Sequence, residues 1–357
     1  MLRGGENRHH RKGRTAENHR RACRSRFDGS VSFGYSSQGS RNLVSSTHGT
    51  CKRKERTMNR NSIQLQNLTK VFRHNVAVHN LSLKVEVGKV YGLVGDNGAG
   101  KTTTIKMMLG LLHPTQGMIE VLGYDPWRDG PNLKRLVGYV SEKREMYGWM
   151  SVEEILWFNA QFYETWDERY ADEICRKMEL PKIAKVKQLS RGMRAKLALL
   201  LAMGHRPELL ILDEPSSGLD AIVRREILEN IISVIQTEGR TVFFSSHLLD
   251  EVERIADHVG IISRGQLLKD APLEVLKEKS RRIRVVWNGN MPTTERLHNV
   301  RLMQGAGKEE AYYTDDFRED LLDQFKAYQP KCLEVETLSL EEIFVETIRA
   351  AKESQWR

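Results

Sequence analysis

Apolar and polar positions begin to alternate at Ile63. Ile63-Gln64-Leu65-Gln66 and Leu81-Ser82-Leu83-Lys84-Val85 both repeat with period two, which predicts half-buried antiparallel strands. Val90-Tyr91-Gly92-Leu93-Val94 is apolar throughout and predicts a buried strand, and Thr102 to Leu112 predicts a helix. Pro114-Thr115-Gln116-Gly117 marks a turn, Met118 to Leu122 a further strand, and Arg135 to Ser141 another short apolar run. The pattern then turns helical, with Ser151-Val152-Glu153-Glu154 forming a capping box ahead of Ile155, Leu156, Phe158 and Phe162. Trp149, Trp157 and Trp166 fall in this stretch and read as core or partner-facing surface, in preference to a cofactor box.

From Leu209 the continuous apolar runs return. Leu209-Leu210-Ile211-Leu212, Thr241-Val242-Phe243-Phe244 and Val259-Gly260-Ile261-Ile262 predict strands covered on both faces, with a helix over Val223 to Ile235 between the first two. Strands of this kind alternating with helices define an α/β fold with a parallel central sheet. Beyond about Ser280 a smaller unit is predicted. Ile283 to Trp287 and Leu333 to Val335 read as strands, and Arg318 to Tyr328 and Leu340 to Ala350 as helices. Ser339 and Glu342 make a second capping box, and Gly305-Ala306-Gly307 reads as a simple turn.

Charge separates the chain into two parts. The 357 residues carry a formal net charge of +9. Residues 1–57 alone hold 14 Lys and Arg against 4 Asp and Glu, leaving 42 against 43 in the remainder. The basicity therefore belongs to an Arg/Ser/Gly/His-rich tail, expected to be disordered and able to meet acidic partners only through charge. Met58 precedes the first patterned segment, so the tail is expected to lie outside the native functional protein. No run approaches the ~20 apolar residues of a membrane span. Cys23, Cys51, Cys175 and Cys332 show no paired or metal-binding spacing and fit a reducing compartment.

The chemistry concentrates at the end of the strand Val90 to Val94. Gly95-Asp96-Asn97-Gly98-Ala99-Gly100-Lys101-Thr102 fits the phosphate-binding pattern G-x-x-x-x-G-K-[ST] at every fixed position. Its glycines let several backbone N–H groups face one phosphate chain, at the N-terminus of the helix that follows. Lys101 can reach the outer phosphates, and the Thr102 hydroxyl can ligate Mg²⁺. Strand Leu209 to Leu212 ends in Asp213-Glu214. A carboxylate there suits Mg²⁺, and its neighbour suits orientation or deprotonation of an attacking water. Ser190 is a good N-cap for a helix over Met193 to Met203, and Gly192 is expected to leave backbone N–H groups uncovered. Arg191, Arg194 and Lys196 crowd that first helical turn, where the dipole favours an anion.

Taken in order, these marks resemble the nucleotide-binding subunit of an ATP-binding cassette (ABC) transporter over Asn59 to Ala350. Leu189-Ser190-Arg191-Gly192-Met193 resembles the signature LSGGQ, Ser217-Gly218-Leu219-Asp220 the D-loop, and His247 the switch histidine. The resemblance implies a P-loop NTPase core of the ABC type, 59–280, with a mixed sheet, an antiparallel β subdomain and an inserted helical subdomain at about 142–190. A small α+β accessory unit, 281–357, follows. It implies ATP and Mg²⁺ as ligands. Phe72 would stack on adenine; Gly95 to Thr102 with Thr103, and Glu142, would contact nucleotide; Thr102, Asp213 and Glu142 would hold the metal. Ser190, Gly192 and Asp220 would complete the site of an opposing subunit. Lys101, Glu214 and His247 would carry hydrolysis.

Two departures from the family pattern are Glu142, standing where Gln is usual, and Arg191 with Met193 in the signature. Neither removes a required group, so an active ATPase is expected. The resemblance further implies pairing with a second ATP-binding subunit and a permease on a separate chain at the cytoplasmic membrane face. The aromatic segment Met146 to Met150 is the expected contact surface. The style of the signature resembles exporter-type subunits. Two other readings are a non-transport ABC ATPase of ribosomes or nucleic acid and a regulatory ATP-binding module. A single P-loop with only 89 positions from Lys101 to Ser190 disfavours the first, and retained Glu214 and His247 disfavour the second.

Overall fold

The computed structural model describes residues 61–289, 291–292 and 297–354. The basic tail of residues 1–57 lies outside them. Strands β1 (Asn61–Phe72) and β2 (Asn75–Glu86) form a long antiparallel hairpin. The predicted alternation sets its register, with Ile63 opposite Val85 and Leu65 opposite Leu83, all four buried. Strand β3 (Val90–Val94) follows, then helix α1 (Lys101–Met108). The helix is shorter than the predicted span because Gly110 turns the chain left-handed at φ 66°. Strand β4 (Gln116–Val121) pairs antiparallel with β1 and completes a three-stranded sheet in the order β2-β1-β4.

Helix α2 (Gly130–Leu136) leads into β5 (Val137–Val140). The helical stretch then supplies α3 (Val152–Ala160) and α4 (Glu168–Lys177). The Ser151 capping box is complete: its hydroxyl accepts from the Glu154 N–H at 3.2 Å, and its N–H donates to Glu154 Oε2 at 2.7 Å. Helix α5 (Arg191–Met203), β6 (Leu209–Asp213), α6 (Ala221–Glu238), β7 (Thr241–Ser246), α7 (Leu249–Ile255), β8 (His258–Ser263) and β9 (Gln266–Pro272) complete the main body.

The six-stranded sheet runs β5-β6-β7-β3-β8-β9, parallel except for the edge strand β9. Its inner strands are apolar on both faces because helices cover one side and the three-stranded sheet together with α1 the other, as the continuous runs predict. Parallel register sets Val94 opposite Ser246 and Asp213 opposite Ser245. The C-terminal ends of β3, β6 and β7 thus meet along one edge, where loops of α/β sheets bind ligands.

After α8 (Leu273–Lys279) come β10 (Arg281–Val286), β11 (Arg301–Ala306), β12 (Glu309–Thr314) and β13 (Cys332–Thr337), in the order β11-β12-β10-β13. Strands β11 and β12 were not anticipated. The turn read at Gly305 to Gly307 is their hairpin connection, with Ala306 opposite Glu309 and Gly307 at φ 64°. The helix expected over Arg318 to Tyr328 is instead a 3₁₀ turn, Glu319–Leu322, followed by the one-turn α9 (Asp323–Lys326). Leu322, Phe325 and Tyr328 recur every third residue and all pack on the Trp287 cluster, which favours the tighter turn. Helix α10 (Leu340–Ser354) closes the described chain, and Leu338, Leu340 and Ile343 pack into the main core. Among the described residues no helix is long and apolar enough to cross a membrane.

Candidate functional site

The glycine-rich loop leaves β3 at Val94 and re-enters regular structure at Lys101. Gly98 and Gly100 have φ of 81° and 109°, a region that side chains strain to occupy. Gly100 is also fixed by contact, since a Cβ there would lie 2.6 Å from the Ala77 carbonyl of β2. Asp96, Asn97 and Gly98 form the exposed crest, while Gly95, Ala99 and Gly100 are buried and Thr103 is half-buried. Lys101 folds back over the loop, its ammonium donating to the Gly95 and Asp96 carbonyls at 2.5 and 3.2 Å.

Asp213 and Glu214 stand at the end of β6. The Thr102 hydroxyl donates to Asp213 Oδ1 at 3.1 Å, and the Ser245 hydroxyl donates to the same oxygen at 2.8 Å. Oδ2 is left for another partner. Burial pushes the Asp213 carboxyl pKa up; the Ser245 and Thr102 hydrogen bonds oppose this, and the charges of Glu142 and Glu214 reinforce it. The neighbouring Tyr139 phenol is pushed up to about 12, first by burial and then by Asp213 and Glu142. A buried carboxylate beside a hydroxyl, under net negative charge, is a hard-oxygen donor set that a divalent cation would relieve. Among the described residues no cluster of three or more His, Cys, Asp or Glu could hold a metal unaided. The Asp213 carboxylate and Thr102 hydroxyl fit Mg²⁺, which would take water and phosphate oxygens as most of its ligands. Glu142 is exposed and reaches Asp213 through its field, with no direct hydrogen bond to it.

Glu214 turns away from Asp213. Its φ of 50° is left-handed, a conformation that costs a residue with a side chain roughly 1–2 kcal/mol. That turn sends its carboxylate to the P-loop side. Oε1 pairs with the Lys101 ammonium at 3.0 Å, and Oε2 accepts from His247 Nδ1–H at 2.7 Å. A carboxylate only accepts, so Nδ1 carries the proton in this contact. Three chain segments are thus joined by direct contacts through Lys101, Thr102, Asp213, Glu214, Ser245 and His247.

Three supporting features had no sequence signal of their own. The Ser245 hydroxyl both donates to Asp213 and accepts from the Glu214 N–H at 3.1 Å, coupling the two acids. Arg144 reaches the segment after Glu214 and donates to backbone carbonyls there. Glu251 of α7 is 1% exposed, accepts from the Ser216 hydroxyl at 2.5 Å, and pairs with Arg224 at 3.2 Å. The Ser216 contact ties the helix after His247 to the loop after Glu214, and the Arg224 contact ties it to α6.

The remaining expected residues stand apart from the cluster. Ser190 caps α5, its hydroxyl accepting from the Met193 N–H at 3.1 Å. Gly192 is buried, and a Cβ would meet Val223 Cγ1 at 2.8 Å, so helix packing also calls for the glycine. Asp220 caps α6 by accepting from the Ile222 and Val223 N–H groups at 3.1 and 3.0 Å. Phe72 is 43% exposed at the tip of the β1–β2 hairpin, with the Lys70 ammonium 5.0 Å from its ring centre. Among the described residues no hydrogen bond or ion pair links Ser190, Gly192, Asp220 or Phe72 to Lys101, Thr102 or Glu214.

This edge of a largely parallel sheet, with its glycine loop and paired acids, defines the class as a P-loop nucleotide-binding protein. A family model described as ABC transporter matches residues 78–217. The chain is 39% identical over 222 residues to the bacitracin transport ATP-binding protein BcrA of Bacillus licheniformis, covering 62% of this chain and 72% of the relative. It is 27% identical over 289 residues to the ABC transporter ATP-binding protein YtrB of Bacillus subtilis (strain 168), covering 79% of this chain and 97% of that one. A solved structure of an ATP binding subunit of an ABC transporter superposes with a TM-score of 0.56 at 26% identity, covering 60% of this chain and 92% of its own. The dimeric ATP-binding cassette MJ0796 bound to ADP and Pi gives 0.53 at 20% identity over 59% of this chain and 98% of its own, and speaks to the fold. The chain belongs to the family of ABC transporter ATP-binding proteins, and the fold is that of their ATPase domain.

Proposed function

We propose that this chain hydrolyses ATP and energises a membrane-embedded permease carried on a separate chain, in the direction of export. One observation carries the reading. The Glu214 carboxylate lies between Lys101 and His247, one residue from an Asp213 already joined to Thr102. In that arrangement Lys101 and the loop N–H groups bind the phosphate chain, and Phe72 stacks on the base. Thr102 and Asp213, with Glu142 nearby, would hold Mg²⁺, which supplies charge neutralisation at the phosphates. Glu214 orients and deprotonates the attacking water, and His247, whose Nδ1–H holds Glu214, contacts the transferred phosphoryl group. Phosphoryl transfer needs positioning and charge stabilisation more than covalent chemistry, and these residues provide both.

Ser190, Gly192 and Asp220 lie away from the Lys101 cluster of their own chain. This supports a two-chain site, in which the exposed cap of α5 faces the nucleotide of an opposing subunit. Residues 59–280 serve as the motor and 281–357 as an accessory unit. A cleft of about 350 Å³ between the sheet and the helical stretch, lined by Leu111, Tyr139, Met146, Asn159, Tyr163 and Leu201, suits the permease contact. Tyr147, Trp149 and Phe162 are exposed on the helical side and extend that surface. A relative named for Nod factor export supports the export direction. The test is phosphate release from ATP by the purified chain and its Lys101→Ala variant, alone and with a co-expressed permease. Equal rates for the two proteins would remove the assignment.

A further inference from the structure

We infer that Arg144 is a positioning residue for Glu214: its guanidinium clasps the backbone that sets the direction of the Glu214 carboxylate. Nη2 donates to the carbonyls of Glu214 at 3.1 Å, Pro215 at 2.7 Å and Ser217 at 3.3 Å, and Nη1 reaches Ser217 O at 3.3 Å. These three carbonyls converge on the Nη1–Nη2 edge, which suits a planar guanidinium. The clasp is not a loose surface contact. Arg144 is half-buried, and its Nε has no hydrogen-bond partner among the described residues. A group in that position carries a desolvation cost that simple loop anchoring does not require.

What the clasp holds is a strained turn. Glu214 sits at φ 50° and Arg144 itself at φ 48°. Such conformations persist where the surroundings over-determine them. The Glu214 N–H is fixed by the Ser245 carbonyl at 3.2 Å and its hydroxyl at 3.1 Å, and the Glu214 carbonyl by Arg144 and by the Ser217 N–H at 3.2 Å. With both ends of the residue held, its side chain has one course, toward Lys101 and His247. Release of the Arg144 end frees the peptide to relax toward ordinary φ and swings the carboxylate off the line it shares with them. Arg144 touches no reacting atom; it acts through Glu214.

The inference rests on the ATPase reading above, and a double-mutant cycle separates the two. Phosphate release, ATP affinity and thermal midpoint are measured for wild type, Arg144→Ala, Glu214→Gln and the double variant. Arg144→Ala lowers kcat by at least about tenfold while KM for ATP moves less than about threefold. In the Glu214→Gln background the same change costs less than about twofold, because the group it positions is already disabled. Arg144→Lys recovers only part of kcat, since a single ammonium does not reproduce the planar Nη1–Nη2 edge that meets these carbonyls. Amide exchange at Ser216 and Ser217 rises by about tenfold or more in Arg144→Ala, whether or not the protein turns over.

Equal fold-losses in both backgrounds, or unchanged exchange at Ser216 and Ser217, would overturn the inference. If Arg144→Ala does not fold, Arg144→Lys and Arg144→Gln carry the same cycle. Turnover that is lost in Lys101→Ala, together with equal losses in the cycle, removes the Arg144 inference alone. Turnover unaffected by Lys101→Ala removes the ATPase reading, while the exchange measurement still decides the clasp.

Discussion

Lys101 and Glu214 hold each other. Their ammonium and carboxylate meet at 3.0 Å with side chains only 5% and 7% exposed. The residue assigned to the phosphates and the residue assigned to the water are therefore one buried ion pair. Removing one member of such a pair leaves the other charged and poorly solvated, which costs about 3–5 kcal/mol when burial is complete. Lys101→Ala is expected to lower unfolding stability by about 2–4 kcal/mol and turnover by at least about 100-fold. Lys101→Ala combined with Glu214→Gln should regain most of that stability and none of the turnover. Chemical denaturation of the three proteins checks this, and equal stability of the single and double variants would rule out the charge penalty.

Glu214→Gln on its own separates binding from chemistry. The amide fits the same space and its one carbonyl oxygen can accept from either His247 or Lys101, but it cannot take a proton from water. ATP affinity should stay within about threefold of wild type while turnover falls by about 10²–10⁴, the range of a lost general base. In the two-chain arrangement proposed above, slow hydrolysis should also accumulate an ATP-bound pair. Light scattering with and without ATP reads this directly: a variant that stays monomeric with ATP bound argues against the head-to-tail site.

Ser245 couples the two acids through one hydroxyl, donating to Asp213 and accepting from the Glu214 N–H. Ser245→Ala deletes one of the two hydrogen bonds on Asp213 Oδ1, leaving the one from Thr102. The Glu214 N–H keeps the Ser245 carbonyl at 3.2 Å. A hydrogen bond to a charged group contributes about 1.5–3 kcal/mol, so kcat should fall by roughly 10- to 100-fold. The Asp213 carboxylate then becomes a less defined metal partner, and the Mg²⁺ concentration for half-maximal rate should rise. A magnesium titration of phosphate release at saturating ATP is the measurement.

The central strands were legible because Leu209 to Leu212 and Thr241 to Phe244 are buried on both faces and show it in composition. The P-loop, Asp213, Glu214 and His247 were legible because each adjoins such a strand. Arg144 and Glu251 were not. Arg144 acts on carbonyls some 70 positions away, and backbone acceptors leave no trace in residue type. Glu251 meets Ser216 and Arg224 only once α7 has packed on the loop after β6. Strand β11 was missed for a simpler reason: Gln304, Gly305 and Ala306 are exposed on a sheet edge and carry no apolar alternation.

Gly192 was expected to expose backbone to an anion, and the structure gives it a packing reason as well. A methyl group there would meet Val223 Cγ1 at 2.8 Å and Cγ2 at 2.9 Å, closer than neighbouring carbons tolerate. Gly192→Ala should therefore force α5 and α6 apart and cost about 1–3 kcal/mol of stability, as overpacking generally does. Val223→Ala should restore most of it by clearing the space. If the double variant regains stability and remains slow in ATP turnover, Gly192 matters to the nucleotide beyond packing. If turnover returns with stability, packing is its whole role in hydrolysis.

His205 gives the fold a pH limit. It is 1% exposed and stacks on the Tyr163 ring at 3.9 Å between centroids. Burial lowers its pKa from 6.5 to about 4; the Val137 backbone pulls weakly upward and Arg240 adds to the lowering. Above pH 6.5 the imidazole is neutral in both folded and unfolded chains, and its contribution does not vary. Between pH 6.5 and about 4 the unfolded chain takes up a proton that the folded chain refuses. Stability therefore falls as pH falls across that window, by about 3 kcal/mol in total, and the loss from this group is complete below it. His205→Phe keeps the stack on Tyr163 and removes the proton site. Urea midpoints at three pH values across the window should show wild type losing stability relative to this variant, since the carboxylates common to both cancel in the difference. Parallel curves for the two proteins would place the acid limit on the carboxylates instead.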